Sequence, residues 1–166
     1  MNKNININKI INKKQIKQKG FTLIEILVVI GIIGILATVV LVAVNPSRQF
    51  KQARDSQRVA NVNTILNALG QNIADHEGNF FCDGSIRNLA VSAYLIRSGE
   101  ASFDIADCLV PDYLPKLPYD PKSETAHYTN EDDYDTGYQL RVSADGRYTV
   151  VARSEVNTDL EIAVTR

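Results

Sequence analysis

The chain is poor in the residues that build metal and nucleophile sites: two cysteines and two histidines in 166 residues. The histidines, His76 and His127, stand far apart, which excludes a His pair at zinc spacing. There is no Gly-x-Ser-x-Gly elbow and no glycine-rich phosphate loop, so neither an α/β-hydrolase nucleophile nor a nucleotide cradle is present. Acid is absent from residues 1–20, which hold six lysines. Base is scarce at the other end, where the residues from Asp75 onward carry eight basic and seventeen acidic side chains, a net of −9. Such a surface repels phosphate backbones, so direct nucleic-acid binding by the carboxy-terminal part is not expected.

What is there falls into four segments: a basic leader over 1–20, an apolar rod over 21–44, a basic stem over 45–78 and an acidic head over 79–166. From Ile26 to Val44 every residue is apolar, Gly or Thr. As a helix, 21–44 is about 36 Å long, enough to cross a bilayer core of about 30 Å. The lysines before it keep the amino terminus in the cytoplasm and the head outside. A secretory signal has its small-residue cleavage site after the apolar region; here Gly20 comes before it, so a cut at Gly20 leaves the span in the mature chain. One carboxylate, Glu25, stands at the mouth of the span, where a charge needs a reason.

Lys19-Gly20-Phe21-Thr22-Leu23-Ile24-Glu25, followed by the apolar run with Gly34, resembles the processing signature of type IV prepilins and type II secretion pseudopilins. The resemblance implies a membrane peptidase that cuts between Gly20 and Phe21 and methylates the Phe21 amine. It implies that Glu25, the fifth mature residue, pairs with the Phe21 amine of a neighbouring subunit. Two opposite charges in an apolar filament core cost far less together than either alone. Glu25 complementing the positive end of its own helix is the alternative. The implied partners are other copies or related pilins, the prepilin peptidase, an inner-membrane assembly platform and the membrane. The implied location is the cytoplasmic membrane, then a cell-surface or periplasmic filament. A type IV pilus-like filament subunit, a type II secretion pseudopilin and a tethered binding domain that never polymerises all remain open, and none is an enzyme. Many of these proteins have a proline near what is here Val42. In this chain Asn45-Pro46 either kinks one long helix or starts a new one, with Asn45 as its cap.

In the stem, Val59, Val62, Leu66, Leu69 and Ile73 form a stripe at helical spacing, with Gly78 as its stop. Arg48, Lys51, Arg54 and Arg58 share another face, either solvated or in contact with acidic neighbouring subunits in a filament. His76 is expected at the surface near the helix end. In the head, Ser85–Ser98 reads as a short helix with Ile86, Leu89, Ala93 and Ile96 on one side. Cys82 and Cys108 read as one disulfide in an exported head; two free thiols are the alternative. Leu109–Pro121 is proline-punctuated and extended. Gly137–Ser143 and Arg147–Ser154 alternate about an Asp145-Gly146 turn, and Leu160, Ile162 and Val164 supply a third strand. The fold class is therefore α+β, a long amino-terminal helix on a small antiparallel sheet, as in pilins. No cofactor is expected, except that Glu131, Asp132, Asp133 and Asp135 could hold calcium; otherwise 130–137 is a solvated acidic turn.

Overall fold

The computed structural model describes residues 20–43, 45–87, 89–99 and 102–166. The leader expected over 1–20 therefore lies, up to Lys19, outside the described residues. The chain divides between Val44 and Asn45. On the amino-terminal side is α1 (Leu23–Ala43), apolar all round and with no buried residue. Its one mid-helix hydroxyl, Thr38 Oγ1, donates to Gly34 O at 2.9 Å, so the helix shows no unsatisfied side-chain donor there.

On the other side, α2 (Pro46–Asp75) opens as a new helix. Asn45 Oδ1 accepts from Arg48 N at 3.2 Å and Pro46 takes the first turn, where its missing N–H costs nothing. This resolves the Asn45-Pro46 choice in favour of the cap. The helix closes after Asp75 with Gly78 N donating to Ile73 O at 2.9 Å. Glu77 holds the left-handed position at φ 56° and Gly78 follows at φ 90°.

The expected stripe is shifted. Val62, Ile65, Leu66, Ala68 and Leu69 are buried, whereas Val59 is 44% exposed. Two asparagines share the inner face. Asn61 Nδ2 donates to Tyr119 O and Tyr138 Oη, both at 2.9 Å. Asn72 Nδ2 donates to Phe81 O (3.0 Å) and Cys108 O (3.2 Å), and its Oδ1 accepts from Phe81 N at 3.0 Å. These bonds supply what buried amides need and fix the helix at two heights. His76 is half-buried rather than free at the surface, its ring stacked on Phe81 at 4.5 Å.

Beyond the stem come β1 (Phe81–Cys82), β2 (Ser85–Ile86), β3 (Ala93–Arg97), α3 (Ala106–Leu109), β4 (His127–Asn130), β5 (Asp133–Val142), β6 (Tyr148–Arg153) and β7 (Glu161–Thr165). The helix expected over Ser85–Ser98 is not formed; the segment holds β2 and β3 instead. β3 pairs antiparallel with β5, Tyr94 opposite Leu140. The sheet order is β3-β5-β6-β7, all antiparallel, with β4 on β5. Tyr134, Thr136, Tyr138, Leu140 and Val142 of β5 point into the core, Val150 and Ala152 of β6 join them, and α2 packs mainly on β6 and β7. The hairpin turns at Gly146 (φ 78°), as the Asp145-Gly146 pair predicts.

Residues 130–137 are not a loop ahead of the first strand. Glu131 and Asp132 form the β4–β5 turn, and Asp133 and Asp135 lie in β5. Asp133 Oδ1 meets His127 Nε2 at 3.0 Å, and Asp135 Oδ1 accepts from Gly137 N at 2.8 Å. Among the described residues no three His, Cys, Asp or Glu side chains gather at metal-holding distance.

Gly137 marks where one edge of β5 changes partner, from β4 at Asp135 to β6 at Gln139. Its φ is 73°, and a Cβ there would stand 3.1 Å from Asp120 Cβ and 3.4 Å from Ala126 Cβ. Gly137→Ala is expected to cost the 45–166 fragment about 2 kcal/mol, the left-handed penalty of roughly 1–2 kcal/mol with crowding added. Gly146→Ala has the same backbone sign and open space around its Cβ, so it should cost less. Urea unfolding of both variants checks this, and equal losses would remove crowding from the account.

Candidate functional site

The amino-terminal site begins at Gly20 and Phe21, both exposed and just ahead of α1. Thr22 starts the helix: its Oγ1 accepts from Glu25 N at 3.2 Å, and its carbonyl accepts from Ile26 N at 3.3 Å. Thr22-x-x-Glu25 is thus the frame of a capping box, legible in the sequence from the Thr/Glu spacing alone. The Glu25 carboxylate is exposed and meets no cation among the described residues. Along α1 the large apolar side chains leave about half to four-fifths of their surface open, from 47% at Val29 to 82% at Leu23. No one face is favoured, which distinguishes α1 from an amphipathic surface helix and suits lipid or a ring of like helices.

The head carries a second constellation, built by α2 and two loops. Arg58, only 4% exposed, donates through Nε and Nη2 to Asp120 at 2.6 and 2.9 Å and through Nη1 to Asp55 at 2.8 Å. Its Nη2 also lies 2.9 Å from Glu155 Oε1. Arg54 grips Glu155 with two bonds of 2.8 Å, and Lys122 Nζ approaches it at 3.3 Å. Asp55 further accepts from Ser154 Oγ (2.6 Å) and from the amides of Glu155 and Val156. Three cations face three carboxylates, and the group joins the stem to the loops at 120–123 and 154–156.

The electrostatics follow. Burial pushes the Asp55 carboxyl up, but the Ser154 hydroxyl, the two amides and Arg58 outweigh it and hold it down at about 2. Arg54 is the chief cause that Glu155 is also held at about 2, with Arg58 and Lys122 adding to it against burial. Asp120 is lowered as well, since Arg58 and the Lys122 and Ser123 amides outweigh its burial. The Asp120 hydrogen bonds chiefly raise Arg58. The basic face expected on the stem is therefore split: Arg54 and Arg58 are spent inside the chain, while Arg48 and Lys51 remain exposed. A cleft of about 410 Å³ opens beside the cluster; Arg58–Asp120, Lys122–Glu155 and Arg141–Glu161 pair along its lining, and Arg153 also lines it outside these pairs.

Cys82 of β1 and Cys108 of α3 form a disulfide, their Cα atoms 4.8 Å apart. It sits beside Asn72, whose amide bonds Cys108 O, so covalent and polar ties meet at the upper stem.

Against known proteins, residues 16–41 match the family model described as the prokaryotic N-terminal methylation motif. No curated protein and no solved structure matches the chain. The matched stretch contains Gly20, Phe21, Thr22 and Glu25 and runs nearly to the end of α1. The amino-terminal segment of this chain is a prepilin-type N-terminal methylation motif, which supports its resemblance to type IV pilins and pseudopilins.

Proposed function

We propose that the chain is a structural subunit of a type IV pilus-like filament. It is inserted in the cytoplasmic membrane through α1 with its head outside, cut after Gly20, methylated on Phe21 and polymerised through α1. The observation that carries this reading is α1 itself: a fully exposed apolar helix with one carboxylate at its mouth, matched to the methylation motif. An ordinary membrane anchor needs neither the Gly-Phe junction nor the acid. The role is mechanical and interactive, with Glu25 meeting a neighbour's Phe21 amine, the ion cluster keeping the head on its stem under load and the disulfide bracing the head itself.

Mass spectrometry of the membrane-bound or filament form tests processing. The expected amino terminus is methylated Phe21, with slower cleavage in Gly20→Ala and none with a bulky residue there. An intact Met1 terminus, or a cut beyond Val44, would overturn the reading.

A further inference from the structure

Residues 45–54 hold Arg48, Lys51 and Arg54 and no carboxylate. Arg54 is taken by Glu155, but Arg48 and Lys51 are exposed and form no ion pair among the described residues. Between them Phe50 is 65% exposed, although Phe80 and Phe103 of the same unit are almost wholly buried. Arg48 and Lys51 also line a cleft of about 390 Å³ with Val156, itself 40% exposed. On the helix Lys51 lies between the other two, with Arg48 about 60° to one side and the open Phe50 ring about 100° to the other. An exposed aromatic and two unpaired cations on one broad side of a helix suit a membrane interface, where rings settle at headgroup depth and Lys or Arg meet lipid phosphates.

Chain length puts the patch at that depth. α1 ends at Ala43 and α2 begins at Pro46, so Arg48 lies five residues past the apolar helix, at most about 18 Å even if extended. The headgroup zone adds about 5–7 Å on each side of the hydrocarbon. With α2 inclined toward the surface, its first turns lie within reach of headgroups. Charge supplies the orientation: an anionic surface attracts this end of the stem and repels the acidic residues from Asp75 onward, whose net is −9.

We propose that Arg48, Phe50 and Lys51 form an interfacial anchor that docks the base of the stem on the anionic phospholipid surface on the head side of the membrane. This rests on the membrane-spanning role given to α1 above. The anchor holds the subunit at a fixed depth and must be released before α1 can leave the bilayer.

The chain contains no tryptophan, so Phe50→Trp provides a single fluorescent reporter. The full chain is placed at one copy per nanodisc, in phosphatidylcholine alone or mixed with phosphatidylglycerol, and insertion of α1 is verified by protease protection. In the anionic discs the emission of the introduced indole is expected to shift to the blue and to be shielded from aqueous iodide. Adding Arg48→Gln and Lys51→Gln should lower the ratio of docked to undocked stems about thirtyfold, roughly fivefold per charge at an anionic surface. High salt should act in the same direction. If the inserted chain leaves the indole equally open to iodide in both lipids, with or without the two substitutions, the anchor is overturned. Shielding that appears only with two copies per disc also overturns it, in favour of contact between subunits. Failure of α1 to insert instead defeats the membrane-spanning reading, and the anchor with it.

Discussion

Glu25→Gln protein, expressed as the sole copy, is expected to insert and to be cleaved at Gly20, yet to yield few filaments. The substitution keeps the side chain's shape and leaves Thr22 Oγ1 accepting from the residue 25 amide, because that bond uses the backbone. Helix initiation is therefore preserved, and only the charge is removed. In a filament core made of α1 helices, an incoming Phe21 amine would then be desolvated without a partner. Breaking a buried pair in this way typically costs about 3–5 kcal/mol, a factor of a hundred or more at each addition step. Were Glu25 only complementing its own helix terminus, the loss would be about 0.3–1 kcal/mol and filaments would be nearly normal. Sheared-filament yield, normalised to cleaved subunit in the membrane, separates the two. Normal yield rejects pairing and restores the tethered, non-polymerising domain as the better reading.

Which parts of the structure were legible depended on whether local pattern and tertiary contact agreed. α1 needs no partner to declare itself, since an unbroken apolar run specifies its environment. β5 to β7 alternate with period two about an Asp-Gly turn, and the sheet uses that alternation. Ser85–Ser98 failed because Ile86, Leu89, Ala93 and Ile96 fit helical spacing, yet the same residues let Tyr94 and Ile96 turn inward from a strand. Pairing with β5 decided between them, and no local signal reports a strand's partner. The stem's helix and most of its inner face were legible, with Val62, Leu66 and Leu69 buried and Ile73 packed on the core. Its polar members Asn61, Asn72 and Arg58 were not, because such side chains give no apolar signal. Each is buried with partners 9 to 77 positions away in sequence, a distance that periodicity does not span. Thr22 was within reach, since its spacing to Glu25 is the capping-box pattern.

Arg58→Met is expected to be severely destabilising in the 45–166 fragment, which keeps the Asn45 cap and the ion cluster. Methionine retains the apolar stem of the side chain and removes the guanidinium. Asp120 is then left with the Lys122 and Ser123 amides and Asp55 with Ser154 and two loop amides, while only Glu155 keeps cations, Arg54 and Lys122. Breaking a buried pair by removing one partner costs about 3–5 kcal/mol. The pH dependence tests whether charge is the cause. Folding lowers the pKa of all three carboxylates, Asp55 and Glu155 to about 2. A lowered carboxylate stabilises the fold fully above its unfolded value near 4, and that contribution is lost as pH falls toward the folded value. The native fragment should therefore hold its melting temperature from neutrality to about pH 5 and lose it steeply toward pH 2. In Arg58→Met the carboxylates have less to lose, so the gap between the two proteins should be widest near pH 7 and narrow as the acids protonate. Melting curves across this range give the answer. A gap that stays constant from pH 7 to pH 2 would mean that Arg58 acts through packing alone, and the ion cluster would no longer account for how the stem holds the loops at 120–123 and 154–156.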